Sequence, residues 1–205
     1  MAISADPLNL IICGVGGQGN ILISGLIGSA FLKKGYYTTI GETFGVAQRG
    51  GSVFSGVRIS RKRTYGPLIP KGKAHLILGL EPLETLRMLQ QYGNPDVICI
   101  TNTHPILPIG ALSGKEKYPS YGELEGAIKN LSKLVWFVDG TDIASKLGAP
   151  IVTNIVMVGA LIGAGQLPLE RKDIENEMRA IFPPERMALD LRALEMGSSA
   201  LRSQR

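Results

Sequence analysis

Cysteine is almost missing from this chain. Its 205 residues include two, Cys13 and Cys99, and no C-x-x-C pair. That is too few for a disulfide framework, and too few for the thiolates of an iron–sulfur cluster or a structural zinc. Each lies in an apolar run, Leu10 to Cys13 and Val97 to Ile100, which predicts buried, reduced thiols in strands. Histidine is equally scarce. His75 and His104 stand far apart with no second ligand at metal spacing, so no metal site is expected. The longest apolar stretch, residues 151–164, is short and includes Thr153 and Asn154, which excludes a membrane-spanning helix. Residues 1–7 show no basic region followed by an apolar one, so no signal peptide is expected and the default location is the cytoplasm. The motifs G-x-S-x-G, H-E-x-x-H and G-x-x-x-x-G-K-[ST] do not occur, so no complete catalytic constellation announces itself.

What is present is a globular composition, with 44% apolar and 19% charged residues. The length suits one domain, taken as residues 1–197, followed by a frayed tail over 198–205. Glycine is abundant at 26 residues, almost twice the usual ~7% share. The net charge of +5 is concentrated. Between Glu42 and Lys73 lie seven cations (Arg49, Arg58, Arg61, Lys62, Arg63, Lys71, Lys73) against that single acid, a local charge of +6 that leaves −1 for everything else. One basic segment on a neutral body predicts a localised anionic partner rather than a nucleic-acid coat.

Hydrophobic patterning alternates strands and helices. Leu8–Cys13 reads as a strand buried on both faces, Asn20–Lys34 as a helix closed by Gly35, and Tyr36–Ile40 as a second strand, together a βαβ unit. Ser52–Ser60 alternates and predicts an antiparallel excursion from the sheet. Strands follow at 74–80, 97–101 and 134–138. Helices follow at 82–91, 123–132, 141–147 (capped by Asp139), 153–164, 169–181 and 184–196. Residues 102–121 read as a loop with a possible small hairpin. The expected fold is α/β and Rossmann-like, with a largely parallel sheet, helices on both faces and a basic strand-loop excursion around 41–73.

Two glycine-rich elements can carry chemistry. Gly14-Val15-Gly16-Gly17-Gln18-Gly19 follows a strand and opens a helix, so its backbone can approach an anion at the positive helix end. Glu42, 23 residues beyond Gly19, is spaced like the ribose-binding acid of a dinucleotide fold. Spacing alone leaves a stand-alone NAD- or FAD-dependent oxidoreductase open, alongside a turn that only packs helix on strand. The second element is Gln48-Arg49-Gly50-Gly51, in which Arg49 offers a planar fork to a carboxylate or phosphate. The two elements are expected to line one cleft at the strand ends.

Four segments in order carry a resemblance: Gly14–Gly19, Gly45–Val53, Gly66–Gly72 and Gly79-Leu80-Glu81-Pro82-Leu83-Glu84. With Asn154 to Leu161 and Leu167-Pro168-Leu169, they make residues 8–197 similar to the gamma-type subunits of the 2-oxoacid:ferredoxin oxidoreductases, with the greatest likeness to the indolepyruvate branch. The chain departs from the family pattern at Gly56 and His75. The resemblance implies a complex that oxidatively decarboxylates a 2-oxo acid to acyl-coenzyme A and carbon dioxide while reducing ferredoxin. It implies thiamine diphosphate and iron–sulfur clusters on a large partner subunit, coenzyme A handled near this chain, and no activity for this chain alone. It demotes the nicotinamide reading and makes Arg49 the best candidate for an electrostatic role. Membrane and nucleic-acid partners are not expected.

Overall fold

The computed structural model describes residues 5–43, 51–107, 111 and 117–202. Strand β1 (Leu8–Val15) is buried along its whole length at the centre of a six-stranded sheet. It is followed by α1 (Asn20–Lys33), β2 (Tyr37–Thr43), β3 (Ser52–Ser60), β4 (Leu76–Gly79), α2 (Pro82–Tyr92) and β5 (Ile98–Asn102). Then come α3 (Tyr121–Leu131), β6 (Leu134–Val138), α4 (Gly140–Lys146), a 3-10 turn at Pro150–Val152, α5 (Thr153–Gly163), α6 (Arg171–Ile181) and α7 (Pro184–Arg202).

The strand order is β2-β3-β1-β4-β5-β6. Strands β1, β4, β5 and β6 pair in parallel, whereas β3 is antiparallel to both β1 and β2. The alternating segment at 52–60 is thus the antiparallel excursion the sequence predicts. It inserts between the two strands of the βαβ unit, so β1 and β2 run parallel without touching.

Alternate residues of each strand face opposite layers, as the strand period requires. Leu10, Ile12, Leu76, Leu78 and Ile100 join α1 and α5–α7 in the larger core. Ile11, Cys13, Ile77 and Cys99 pack with Met88 and Leu89 of α2 and Ile128 of α3 in the smaller one. Both cysteines are therefore buried free thiols. Burial pushes each thiol upward, and the Glu84 charge adds to the rise at Cys13, so neither is poised as a thiolate.

Helix α5 is buried over most of its length and meets α7 along a seam of small residues. A β-carbon on Gly163 would lie 2.6 Å from the Ser198 carbonyl oxygen, and one on Gly159 would lie 2.9 Å from the Leu194 carbonyl carbon. From the α7 side, one on Gly197 would lie 2.8 Å from the Val156 carbonyl carbon. Glycine is needed here for backbone approach, not for flexibility. Over residues 198–202 this corrects the expected frayed tail, and residues 203–205 lie outside the described residues. Helix α7 continues through Gly197 to Arg202, with Leu201 fully buried. No helix among the described residues is long and apolar enough to cross a membrane.

Candidate functional site

The chain leaves β1 for α1 and β2 on one side of the sheet. It leaves β4 for α2 and β5 on the other side and the other face. The carboxyl ends of β1 and β4 therefore splay apart at a topological switch point, where open α/β sheets place their ligands. Gly14–Gly19 forms the β1 side of this crevice.

Two glycines of the turn have positive φ, 98° at Gly17 and 91° at Gly19, a conformation in which other residues are strained. Gly19 also backs onto the Asn154 amide, which a side chain would strike. Gln18 folds back through the space above Gly14. Its Oε1 accepts from the Val15 amide at 2.8 Å and its Nε2 donates to the Leu80 carbonyl at 3.0 Å. That carbonyl also receives Asn102 Nδ2 at 3.2 Å. One glutamine thus ties β1 to β4, and one asparagine ties β4 to β5.

Asn20 opens α1 and donates to the Val53 carbonyl at 3.0 Å, while its Oδ1 is buried with no donor. Helix α1 begins without a side-chain cap and without an acid in its first turn. Its positive end, with unsatisfied amides, therefore faces the crevice. The crevice opens as a cleft of about 500 Å³ bordered by Gly17, Gln18, His104, Thr141, Asn154 and Arg186. Arg186 is not a free cation, since its Nε lies 2.8 Å from the Asp190 carboxylate.

The second glycine element meets the first at its described end. The Gly16 amide donates to the Gly51 carbonyl at 2.9 Å, so Gly51 lies beside Gly14–Gly19. Gln48, Arg49 and Gly50 lie outside the described residues. The cations Arg61, Lys62 and Arg63 of the basic segment do not adjoin the glycine turn. Strand β3 separates Gly51 from Arg61, Lys62 and Arg63 by nine residues, roughly 27 Å of extended chain. Those three cations are exposed at the amino-terminal end of β1, where Leu8 pairs with Ile59. Arg61 lies over the Tyr36 ring and Arg63 over Tyr65, and Arg58 donates to the Gly66 and Leu68 carbonyls. Arg61, Lys62 and Arg63 therefore sit at the opposite end of β1 from the glycine turn.

Glu42 is exposed on β2, two strands from β1, about 10 Å to the side. In a dinucleotide fold the acid sits on the strand next to β1; the inserted β3 takes that place here. Asp139 is also reassigned. Its side chain does not cap α4; it accepts from the Thr103 hydroxyl at 2.6 Å. Asn102 Oδ1 serves the α4 amides instead, at 3.1 Å from Gly140 N. The two departures from the family pattern lie away from the cleft. Gly56 sits under Ile69, and His75 precedes β4, where its Nδ1 accepts from the Asn9 amide at 2.9 Å.

The sequence reading quoted Glu81 and Glu84 as part of a motif but gave them no role. Both carboxylates are buried at the first turn of α2. Glu81 Oε2 caps the helix through the Glu84 amide at 2.9 Å, and its Oε1 accepts from the Tyr118 hydroxyl and from the Ile106 amide at 3.3 Å. Burial pushes the Glu81 carboxyl above its ordinary range, and these hydrogen bonds hold it back. Glu84 accepts from Ser52 Oγ and from Arg87, each at 2.5 Å. Among the described residues no group of three His, Cys, Asp or Glu can hold a metal ion. Among the described residues the cleft offers the uncapped start of α1 and no nucleophile with a base arranged beside it.

These features define an open, doubly wound α/β protein whose glycine turn lines a cleft at the switch point. Residues 9–200 match the family model described as pyruvate ferredoxin/flavodoxin oxidoreductase, and the chain belongs to that family. It is 38% identical to "Indolepyruvate oxidoreductase subunit IorB" of Archaeoglobus fulgidus over 93% of both chains. It is 36% identical to the subunit of the same name from Thermococcus kodakarensis, over 94% of this chain and 95% of that one. Among solved structures, pyruvate oxidoreductase subunit PORC from Thermotoga maritima superposes with a TM-score of 0.70 at 20% identity, over 96% of this chain and 97% of that one. The 2-oxoglutarate:ferredoxin oxidoreductase of Magnetococcus marinus superposes with a TM-score of 0.75 at 16% identity, over 98% of this chain but 32% of that longer one. At those identities the two structures bear on the fold alone.

Proposed function

We infer that this chain is the smaller subunit of an indolepyruvate-type 2-oxoacid:ferredoxin oxidoreductase. The complex decarboxylates an arylpyruvate oxidatively, joins the acyl group to coenzyme A, releases carbon dioxide and passes the electrons to ferredoxin. The observation that carries this reading is the 38% identity to an indolepyruvate oxidoreductase subunit along nearly the full length of both chains.

The residues of this chain fit some parts of that machinery and not others. Two thiols buried beneath α2 do not suit the ligand set of an iron–sulfur cluster, and in this reading the clusters and thiamine diphosphate belong to a large partner subunit. Coenzyme A is a polyanion, and the uncapped start of α1 beside Gly16–Gly19 suits one of its phosphates or the carboxylate of the 2-oxo acid. Gly14, Gly16, Gly17, Gln18 and Gly19 would form the floor of that subsite beside Gly51, and Gln48, Arg49 and Gly50, which lie outside the described residues, are proposed as further contacts. Arg49 would act as a charge and not as an acid or base. Gln18 and Asn102 would keep the three strand ends at fixed spacing, so the subsite needs no rearrangement on binding.

The test is anaerobic co-production of this chain with its large subunit and an assay of coenzyme A-dependent ferredoxin reduction. Indolepyruvate is expected to support the highest kcat/KM among indolepyruvate, pyruvate, 2-oxoisovalerate and 2-oxoglutarate. A preference for any of the other three would reassign the substrate. Binding of NADH, NADPH or FAD by the isolated chain would instead revive the stand-alone oxidoreductase.

A further inference from the structure

The first turn of α2 presents two buried carboxylates that reach two different segments beside the cleft. Glu84, 3% exposed, reaches Ser52, the residue after Gly51, and the Gly51 carbonyl in turn holds the Gly16 amide of the glycine turn. Glu81, 1% exposed, reaches Ile106 and Tyr118 in the segment between β5 and α3. That segment supplies His104 and Ile106 to the cleft wall.

Capping one helix needs one carboxylate, and Glu81 meets that need through the Glu84 amide. The second buried carboxylate, and the second oxygen of the first, are not required by α2. Burying such charges is costly unless they are fully hydrogen-bonded. Apart from the helix's own Glu84 amide and Arg87, the bonds that satisfy them come from Ser52, which follows Gly51, from the Tyr118 hydroxyl and from the Ile106 amide in the cleft wall.

We propose that Glu81 and Glu84 are positioning residues, a two-armed clamp that holds Ser52, and through Gly51 the glycine turn, at a set distance from Ile106 in the opposite cleft wall, and so fixes the width of the cleft. The proposal rests on the cleft being the coenzyme A or 2-oxo acid site. The clamp touches no ligand. It acts through Ser52 and Gly51 on one side and through Ile106 on the other. The Glu84 arm ends in the Ser52 hydroxyl and the Glu81 arm in the Tyr118 hydroxyl and the Ile106 amide, so removing either hydroxyl loosens its arm without disturbing the cap of α2.

Ser52→Ala opens the Glu84 arm and Tyr118→Phe opens the Glu81 arm. Residue-resolved amide hydrogen exchange on the full chain reads the two independently of activity. Ser52→Ala is expected to speed exchange at Gly16 by about fivefold and leave Ile106 unchanged; Tyr118→Phe is expected to do the reverse. Exchange unmoved at both amides, or raised equally across β1, β4 and β5, would overturn the clamp. In the assembled complex each variant is expected to raise KM for coenzyme A or the 2-oxo acid about fivefold with kcat within about twofold, the pattern of lost binding geometry. Ser52→Thr, which keeps the hydroxyl, is expected to restore both KM and the Gly16 exchange rate. An unchanged KM in a complex whose wild type turns over would overturn the link to binding. A wild-type complex inactive on every 2-oxo acid would refute the functional reading instead, while the exchange rates still decide the clamp.

Discussion

Replacing Gly197 by alanine sets two effects of opposite sign against each other. In an exposed or frayed helix end, the change removes backbone entropy from the unfolded chain and stabilises the protein by up to about 1 kcal/mol. In the packed helix described above, the new β-carbon would lie 2.8 Å from the Val156 carbonyl carbon and 3.0 Å from the Ala160 amide nitrogen, and closer still to the Val156 oxygen. Ordinary carbon contacts are roughly 3.5–4.0 Å. The obstructing atoms are α5 backbone, so no rotamer change relieves them. Helix α7 must lift away by an estimated ~0.5–1 Å, which already forfeits a quarter to a half of each dispersion contact it opens. The shift cannot stay local, because Gly159 and Gly163 hold the same seam against Leu194 and Ser198. Buried Val156, Ala160, Leu194 and Leu201 all lose contact. Overpacking of this kind costs about 1–3 kcal/mol and occasionally more. With the upper part of that range offset by propensity, the expected net loss is about 2 kcal/mol. For a chain of this size, with an assumed urea slope of ~2 kcal/mol per molar, the denaturation midpoint should fall by about 1 M at unchanged slope. A variant as stable as wild type, or more so, would refute the packed seam and restore the frayed tail.

Three further outcomes follow from the described contacts. Gln18→Ala removes both hydrogen bonds of the strap that joins β1 to β4 and leaves the Val15 amide without its acceptor; a loss of about 1–3 kcal/mol in urea denaturation is expected, and wild-type stability would contradict the strap. His75 has its pKa lowered from 6.5 by burial first and by Lys73 second, and its neutral Nδ1 accepts from Asn9. The unfolded chain then binds the proton more readily, so the stabilising contribution is present above pH 6.5 and lost as pH falls through the lower folded value. Between pH 7.5 and 5.5 the urea midpoint should drop further for wild type than for His75→Gln; parallel curves would refute the assignment. Arg49→Ala is expected to raise KM for coenzyme A or the 2-oxo acid with the complex intact. Arg61→Ala, Lys62→Ala and Arg63→Ala together should leave KM unchanged, because they lie at the other end of β1; a matching rise in KM would refute that separation.

Local pattern made much of the fold legible. The unbroken apolar run at β1 and the alternation at Ser52–Ser60 announced a central strand and an antiparallel one. Where β3 pairs was not legible, because strand order is set by contacts between residues far apart in sequence. Hence Glu42 had the right spacing for a ribose acid but the wrong neighbour. Gly197 misled for a related reason: a glycine after a polar helix reads as a stop, while its use as a contact surface is visible only with α5 in place. The glycine turn was legible as a tight turn at the head of α1 because φ > 0 and close backbone approach leave a signature in residue type. The fold-back of Gln18 leaves none, and neither does the cap given by Asn102 in place of Asp139. Glu81 and Glu84 did leave a trace. A pair of acids around a proline at a helix start, directly after a buried strand, places carboxylates where solvent is scarce.

The central claim is that this chain serves an active site whose redox and thiamine chemistry belong to another subunit. Anaerobic affinity purification of the tagged chain from its native cells, with mass spectrometry and cofactor analysis of what it retains, tests that claim directly. The account predicts a large partner at fixed stoichiometry, rich in C-x-x-C motifs and carrying thiamine diphosphate and iron–sulfur clusters. Recovery of the chain alone, with a nicotinamide or flavin bound at the Gly14–Gly19 turn, would contradict it.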